Sequence, residues 1–322
     1  MISPDHSKMV LASFELGSQR TVEAEVAVAS GGSPTWVHLD RLAPETAGWL
    51  RERAGLDPML VRALLSETTR PRVSITELGV LLILRGVNLN EGAVPEDMIS
   101  IRIWIEPTRV ISMQGQRLRS IEDLVEQCES GQGPKSVGDL LVAMITGLTD
   151  RMTTVMEQLE DQLDDYEDRI ADPDDTVDRH VLIETRRRLI GLRRFLGPQA
   201  TALERVHEFD EAILTRAHRR ALNEPINRVI RFVEDLDAAK ARAQLLQEEL
   251  DSQAATLANQ RMYVLTLIAG IFLPLTLISG MLGMNVGGVP LSDSPWGFWI
   301  VTGALAALGF VAYLVIRRRQ WL

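Results

Sequence analysis

Small, hydroxyl-bearing and amide-bearing residues recur along one face of an otherwise apolar segment near the carboxyl end of the sequence. Their spacing alternates between three and four residues, which places them on a single stripe of an α-helix. The polar stripe consists of Asn259, Met262, Thr266, Ala269, Leu273, Thr276, Gly280 and Gly283. Such a stripe favours one of two roles: close helix–helix packing, or neutral oxygen atoms facing water in a membrane pore.

Two uncharged apolar runs, Met262–Leu282 and Trp296–Ile316, predict a pair of membrane-spanning helices. Each run has 21 residues, close to the roughly 20 that an α-helix needs to cross the hydrocarbon of a bilayer. The only formal charge between residues 262 and 316 is Asp293, in the connecting segment. Because two spans cannot enclose a path, both interpretations of the polar stripe require self-association.

The groups that the two spans can offer to an ion are neutral oxygen atoms. Neither run contains a carboxylate, a Cys or a His, which argues against a dehydrated tetrahedral zinc site within the membrane. Asn285 follows the first run, and a buried amide at a membrane boundary must be satisfied. A ring of such amides can bind the water shell of an ion. The pattern favours a cation that keeps much of its hydration, as Mg²⁺ does most strongly and Zn²⁺ also can.

Basic residues predict the orientation of the hairpin. Arg261 precedes the first run and Arg317–Arg319 follow the second, whereas the connecting segment has no Lys or Arg. The positive-inside rule therefore places both termini in the cytoplasm and the connecting segment outside.

The charge balance argues against one class of partner. The whole chain carries a net charge of −10, and three arginines minus Asp293 leave +2 from residue 262 onward, so residues 1–261 carry −12. Nucleic-acid affinity comes mainly from Lys and Arg on phosphates, so we expect no nucleic-acid partner. The lipid bilayer, divalent cations and further copies of the chain are the expected partners.

The first third of the sequence predicts a domain of mixed α and β structure. Apolar and polar residues alternate over Ile101–Glu106, which indicates a strand with one buried face. The predicted strand-forming runs are Val22–Ala29, Thr35–Leu39, Arg72–Val87 and Met98–Met113. Asn90-Glu91-Gly92 predicts a hairpin between the last two. Helices are predicted around Ala43–Ala54, Pro58–Ser66 and Ser120–Ser130.

From Ser136 onward the pattern is helical. Apolar residues recur at three and four positions up to Ile170, residues 172–174 interrupt the pattern, and a return helix begins at about Thr176. A third helix is predicted over Phe209–Ala221. Asn223 then predicts a helix cap, with Pro225 in the first turn. The segment from residue 224 to 282 predicts one helix of 59 residues, about 88 Å at 1.5 Å per residue.

Acidic residues supply two further candidate sites, each with a simpler alternative. Residues 157–178 hold eleven acids against one base, Arg169. They form either a solvated hairpin tip balanced by the arginines of the return helix, or a surface that attracts cations. Glu248 is a candidate regulatory metal ligand between subunits, and the alternative is a solvated helix face.

The carboxyl-terminal segment resembles one family of transporters. Gly283-Met284-Asn285 follows Phe272-Leu273-Pro274-Leu275-Thr276 and Gly280, and it precedes a second span and a basic tail. This arrangement resembles the CorA superfamily of divalent-cation transporters. Within it, the segments Gly283–Pro290 and Trp36–Asp40 are similar to the zinc-transporting ZntB branch.

The resemblance implies a homopentameric funnel in the bacterial inner membrane: an α+β cytoplasmic domain, a long helical stalk and two C-terminal transmembrane helices. It implies that Gly283, Met284 and Asn285 form an external selectivity filter, with Asn285 contacting a hydrated ion in its outer sphere. The residues that would line or gate the pore are Asn259, Met262, Leu265, Ala269, Leu273 and Thr276, to which the polar stripe adds Thr266 and Gly280. Met262 and Leu265 would form an apolar constriction that closes by dewetting.

Two departures from the magnesium-type pattern favour zinc. Leu282 stands where those members usually have an aromatic residue, and Val286–Pro290 replaces an acidic loop. Family zinc members imply uptake coupled to the proton gradient; Mg²⁺, Co²⁺, Ni²⁺ and Cd²⁺ are further candidate cargoes. We find no phosphate-binding loop or catalytic set, and we expect neither enzymatic activity nor a covalently bound cofactor.

These observations predict seven segments: 1–135, a cytoplasmic α/β domain; 136–222, a cytoplasmic helical hairpin and helix; 223–261, a stalk helix; 262–282, the pore-forming span; 283–295, an external loop; 296–316, the second span; and 317–322, a basic cytoplasmic tail. The leading hypothesis is zinc transport. One alternative keeps the architecture but conducts Mg²⁺ or Co²⁺. Another, from a different class, is a non-conducting membrane-anchored coiled-coil scaffold or sensor.

Overall fold

The computed structural model describes residues 8–29, 32–172, 175, 177–284, 290 and 294–318. Two compact units divide the chain, Met1–Gln247 and Glu248–Leu322. In the described residues the first unit combines a sheet with helices and the second is helical, and one helix contributes residues to both.

Seven strands form a single mixed sheet in the first unit. They are β1 (Val10–Glu15), β2 (Arg20–Thr21), β3 (Thr35–Asp40), β4 (Arg72–Ile75), β5 (Val80–Gly86), β6 (Ile99–Ile105) and β7 (Arg109–Gln114). Their order is β2-β1-β3-β7-β6-β5-β4, with β3 and β7 parallel and the other neighbours antiparallel. The predicted hairpin between β5 and β6 is confirmed, and Gly92 in its connection has a φ of 74°, which a glycine adopts without strain.

Eight α-helices and one short 3₁₀ turn complete the described chain. They are α1 (Ala24–Ala29), α2 (Thr46–Glu52), α3 (Pro58–Leu65), α4 (Arg119–Glu129), α5 (Val137–Ala171), α6 (Arg179–Glu204), the 3₁₀ turn Arg205–Glu208, α7 (Arg216–Leu282) and α8 (Gly297–Arg318).

Both faces of the central strands are buried, whereas the sequence predicted one. Arg102 and Trp104 on β6 are 1% and 3% exposed, although they alternate with isoleucines. One face packs against α2 and α3 in a single apolar cluster that includes Trp49, Leu50 and Leu64. Helices α5 and α6 contact β5 as well, so the strand is covered from more than one side.

The prediction of a strand over Val22–Ala29 is wrong, because its last six residues form helix α1. The buried residues there are Ala24 and Ala27, three positions apart as on one face of a helix. The Thr35 hydroxyl donates a hydrogen bond of 2.9 Å to the Ala27 carbonyl, which ties the end of this helix to β3.

Within the first unit, α5 runs parallel to the first part of α7, and α6 runs antiparallel to both. Ion pairs connect Arg228 with Asp150 and Arg242 with Asp164, so positions advance together along α5 and α7. The acidic segment is thus balanced partly from α7. The sequence had assigned that role to the arginines of α6, of which Arg193 instead pairs with Asp237.

The predicted helix over Phe209–Ala221 and the predicted cap at Asn223 are also wrong. The segment after the 3₁₀ turn is irregular up to Thr215, and α7 begins at Arg216 and continues through Pro225. Proline removes one backbone hydrogen bond from a helix interior. Leu222, Pro225 and Ile226 are buried, so packing outweighs that loss, whereas sequence reasoning treated the proline as a start signal.

A buried polar network links β3 and β7. Ser112 Oγ accepts a hydrogen bond from Trp36 Nε1 at 2.8 Å and lies 2.7 Å from His38 Nδ1. Which of the two atoms donates in the second contact depends on the tautomer of His38. Burial lowers the pKa of His38 from 6.5 to about 4.

This pKa predicts an acid-sensitive fold. The folded state favours neutral His38, so its stabilisation is complete above pH 6.5 and is lost as the pH falls towards 4. Between pH 7 and pH 5 this group lowers the free energy of unfolding by roughly 2 kcal/mol. Denaturant unfolding of the detergent-solubilised chain at both pH values measures the loss. His38→Asn should remove that increment, and the exposed His180→Asn should not; equal pH dependence in all three proteins would refute the assignment.

Candidate functional site

The polar stripe of α7 is fully open in the single chain. Met262 and Leu273 are 65% and 68% exposed, and Thr266, Ala269, Thr276 and Gly280 are also exposed. Leu265, the predicted gate residue beside the stripe, is 64% exposed. An isolated chain leaves these side chains without a partner surface, so another molecule or lipid must cover them in a membrane.

A second stripe of α7 packs against α8. Its members are the only half-covered residues of α7 between residues 262 and 282: Leu267, Ile271, Leu275, Ile278 and Leu282. At about 100° per residue, the centre of this apolar stripe lies about 180° from the centre of the polar stripe. The helix therefore turns its apolar side to α8 and its small and hydroxyl-bearing side away.

Helix α8 meets α7 through a matching stripe of Val301, Leu305, Gly309 and Ala312, all half covered. A cavity of about 350 Å³ lies between the helices, lined by apolar side chains that include Ile278 and Leu305. The other faces of α8 expose aromatic residues: Trp296, Phe298 and Trp299 near its start are 69%, 71% and 68% exposed. Aromatic residues at helix ends are typical of membrane–water interfaces.

The two threonines of the polar stripe differ in their hydrogen bonding. Thr266 Oγ1 donates to the Met262 carbonyl at 2.9 Å, so its proton is already used within the helix. Thr276 makes no side-chain hydrogen bond to another described residue. Thr276 is therefore the threonine better placed to contact water or a hydrated ion.

The predicted filter begins at the carboxyl end of α7. The amide of Gly283 donates to the Ser279 carbonyl at 2.9 Å, and Met284 is 54% exposed. The last carbonyls of a helix lack intrahelical partners and carry partial negative charge, which favours cations nearby. Asn285 lies outside the described residues, so its predicted role stays a prediction.

The remaining predicted sites are exposed. Asn259 and Glu248 both lie on exposed positions of α7. No group of three or more His, Cys, Asp or Glu side chains in the described residues is arranged to hold a metal ion. In the acidic segment, burial raises the pKa of Glu160, and Asp235 of α7 raises it further. Neighbouring like charges thus disfavour an ionised Glu160 when no cation is bound.

Sequence reasoning missed the apolar stripe on the opposite side of α7. Its residues recur at intervals of four, four, three and four, so the pattern was readable from the sequence. What the sequence does not give is the partner of this stripe, because an apolar stripe of a membrane-spanning helix can face either lipid or another helix.

Comparison with known proteins identifies the family. The family model described as CorA-like Mg²⁺ transporter protein matches residues 31–318. The "Divalent cation transporter CmaX" of Pseudomonas aeruginosa is 39% identical over 291 residues, covering 89% of this chain and 87% of the relative. The "Zinc transport protein ZntB" of Yersinia pseudotuberculosis is 33% identical over 296 residues, covering 92% and 90%. A solved structure of full-length CmaX superposes with a TM-score of 0.84 at 36% identity and covers 98% of each chain.

The chain belongs to the CorA-like transporter family. It is a divalent-cation transporter and not an enzyme, which confirms the resemblance recognised in the sequence. The fold agrees as well: an α+β unit and two helices, the long α7 and α8, that are long and apolar enough to span a membrane.

The contrast between the threonines gives a test. Thr276→Val removes an unused hydroxyl from the polar stripe, and we expect divalent-cation flux into proteoliposomes to fall roughly fivefold, the equivalent of about 1 kcal/mol for one hydrogen bond. Thr266→Val removes a hydroxyl that its own helix already satisfies and should keep flux within about twofold of the native value. Equal losses in both variants would contradict the assignment.

Proposed function

We propose that this protein is a homopentameric zinc transporter of the inner membrane. Five copies of α7 would surround the ion path, with Gly283, Met284 and Asn285 at its outer mouth. The stripe facing the path would be Asn259, Met262, Leu265, Thr266, Ala269, Leu273, Thr276 and Gly280. The observation that carries this proposal is the position of the polar stripe, opposite the side of α7 that packs on α8.

The direction of the polar stripe supports a shared axis. Because α8 occupies the opposite side of α7, the stripe is free to meet the same stripe of other copies. Lipid is a poor partner for hydroxyl and amide groups, whereas water in a pore satisfies them. The narrow apolar part of the path would be Met262 and Leu265, both largely exposed in the single chain.

The chemistry of the stripe supports a hydrated divalent cation as cargo. The described part of both spans offers hydroxyl and carbonyl oxygens and no carboxylate, Cys or His. Neutral oxygens compensate the loss of water less well than carboxylates do, so a cation that dehydrates reluctantly would pass with much of its water attached. The carbonyls at the end of α7 would add a favourable potential at the mouth.

Three observations support zinc over magnesium. The relatives include a zinc transport protein, Leu282 replaces an aromatic residue, and Asp293 is the only acid between the spans. The rival is a Mg²⁺ or Co²⁺ channel of the same architecture, which the family's own description favours. A non-conducting scaffold would leave family membership unexplained. Glu248 stays a candidate regulatory ligand, and proton-coupled uptake belongs to the zinc proposal.

The membrane arrangement follows the basic residues. Arg261 and Arg317–Arg319 would lie at the cytoplasmic surface, with both termini inside and residues 283–295 outside. Residues 1–135 would then form the cytoplasmic α/β domain, 136–222 the helical hairpin, 223–261 the stalk, and 262–282 and 296–316 the spans. The tail 317–322 would contact the inner leaflet.

Flux into proteoliposomes separates the two ions. We expect zinc-65 uptake that exceeds leakage of empty liposomes, and that responds to an imposed pH gradient. Magnesium reported by an enclosed dye should enter more slowly under the same driving force. Magnesium uptake without zinc uptake would exclude the zinc proposal, and zinc uptake that ignores the pH gradient would exclude coupling to protons.

Asn285→Ala tests the filter. Loss of the amide ring should reduce zinc flux at least about tenfold, since several ion-contacting groups disappear at once. The mass of the detergent-solubilised variant should remain that of a pentamer. Ser292→Ala, in the same loop, is the control and should transport normally. Unchanged flux in Asn285→Ala would remove the filter from the proposal while leaving the pore intact.

A further inference from the structure

Three arginines lie on one face of the sheet in the first unit. Arg102 on β6 is opposite Ile83 of β5 and Met113 of β7, so these side chains share a face. Arg85 follows two positions after Ile83 on the same face of β5. Arg41 comes directly after β3, and its amide donates 2.8 Å to the Gln114 carbonyl at the end of β7.

The three side chains converge on one backbone segment, residues 65–69. Arg102 Nη2 donates to the Ser66 carbonyl at 2.7 Å, and Arg85 Nη2 donates to the Thr69 carbonyl at 2.9 Å. Arg41 Nη1 lies 3.4 Å from the Leu65 carbonyl. Three positive charges are thus held around a short segment that offers them only neutral acceptors.

A fourth arginine, Arg194 of α6, lies beside the same aromatic ring as Arg85. The guanidinium carbon of Arg85 lies 3.9 Å from the centre of the Phe195 ring, and that of Arg194 lies 4.4 Å from the same centre. The Gln199 side chain fixes this arrangement. It accepts from the Arg85 amide at 2.7 Å and donates to the Arg85 carbonyl at 3.1 Å. Arg194 is exposed, which gives the group a side open to solvent.

No carboxylate in the described part of the chain pairs with Arg41, Arg85, Arg102 or Arg194. Neighbouring arginines do have such partners: Arg188 pairs with Glu96. Arg102 is 1% exposed, and its Nε has no hydrogen-bond partner; the Nε atoms of Arg41 and Arg85 are also buried and unpaired. Burial, and to a smaller extent the positive charges of Arg41 and Arg85, together lower the pKa of Arg102 to about 10.

A buried guanidinium at Arg102, with half-buried Arg41 and Arg85 beside it and no carboxylate partner among the described residues, is costly in an isolated fold. Each guanidinium carries five N–H donors, and Arg102 donates one of them to the Ser66 carbonyl. The planar fork of arginine matches the oxygen spacing of phosphate and binds it through two parallel hydrogen bonds. An oxyanion with two or more acceptor oxygens, such as phosphate, would therefore supply the missing negative charge.

We propose that the arginine cluster, Arg41, Arg85, Arg102 and Arg194, binds a phosphate oxyanion. The anion enters from the side of Arg194 and Phe195 and supplies the negative charge that the protein lacks there. It holds residues 65–69 and α6 together on the sheet. The site lies wholly within the first unit, and its occupancy is independent of which cation the protein transports.

Thermal unfolding of the full chain in detergent tests the site. Inorganic phosphate should raise Tm by a few degrees in a saturable way, compared with sodium chloride at equal ionic strength and with chelator present. AMP in a parallel titration distinguishes a phosphate ester from free phosphate as the preferred source. A saturable response to either compound supports the site, and a rise that chloride reproduces overturns it.

Three Arg→Gln variants, each of which removes one positive charge, show which residues the phosphate response depends on. Arg194→Gln changes an exposed residue, so the chain should fold, and the half-saturating phosphate concentration should rise roughly tenfold through loss of a charge-assisted hydrogen bond. Arg85→Gln should abolish the response. Arg117→Gln removes the same charge from an exposed pair with Glu122 and should respond like the native chain. An identical phosphate response in all four proteins overturns the proposal.

Discussion

The constraint on which the structure depends is the apolar surface of two helices that the chain cannot cover by itself. The most apolar windows of α7 and α8 are 0% and 6% buried within the single chain. Each residue of such a helix satisfies its own backbone, so lipid can cover the apolar faces. Hydroxyl, amide and small residues gain nothing from lipid. Where they gather on one stripe, another copy of the stripe or a water-filled path must meet them.

The uncovered apolar surface explains why the two sides of α7 differ in composition. Leu267, Ile271 and Leu275 face α8 in the same chain, which leaves the polar stripe available on the other side. In the proposed assembly, α7 lines the path and α8 supports it, so further copies of the chain would supply the rest of the path. The family to which the chain belongs is one of divalent-cation transporters, and neutral oxygens along the stripe suit cations that keep their water.

Sequence patterns predicted the helices and strands that depend mainly on local apolar periodicity and length. Apolar periodicity and length predict strand β3, helix α5 and two helices long enough to span a membrane. They also predict strand structure over Arg72–Val87 and Met98–Met113, although each of these runs folds as two strands. The wrong predictions concern segments whose structure depends on packing against distant parts of the chain. Small residues at Ala24 and Ala27 support a helix that looks like a strand, and Pro225 lies inside a helix because its neighbours are buried. Arg102 alternates with isoleucines like a residue on the polar face of a strand, and only the fold shows that helices cover that face.

Cysteine accessibility tests the central claim most directly. Cys128 is buried, and burial together with Glu129 raises its pKa to about 11, so the native thiol gives little background. In the assembled protein, a charged, membrane-impermeant thiol reagent should label Ala269→Cys and Thr276→Cys and reduce cation flux. It should not label Ile271→Cys or Leu275→Cys on the opposite side. Protection of Ala269→Cys and Thr276→Cys, or equal labelling of all four, would contradict a water-filled path along the polar stripe.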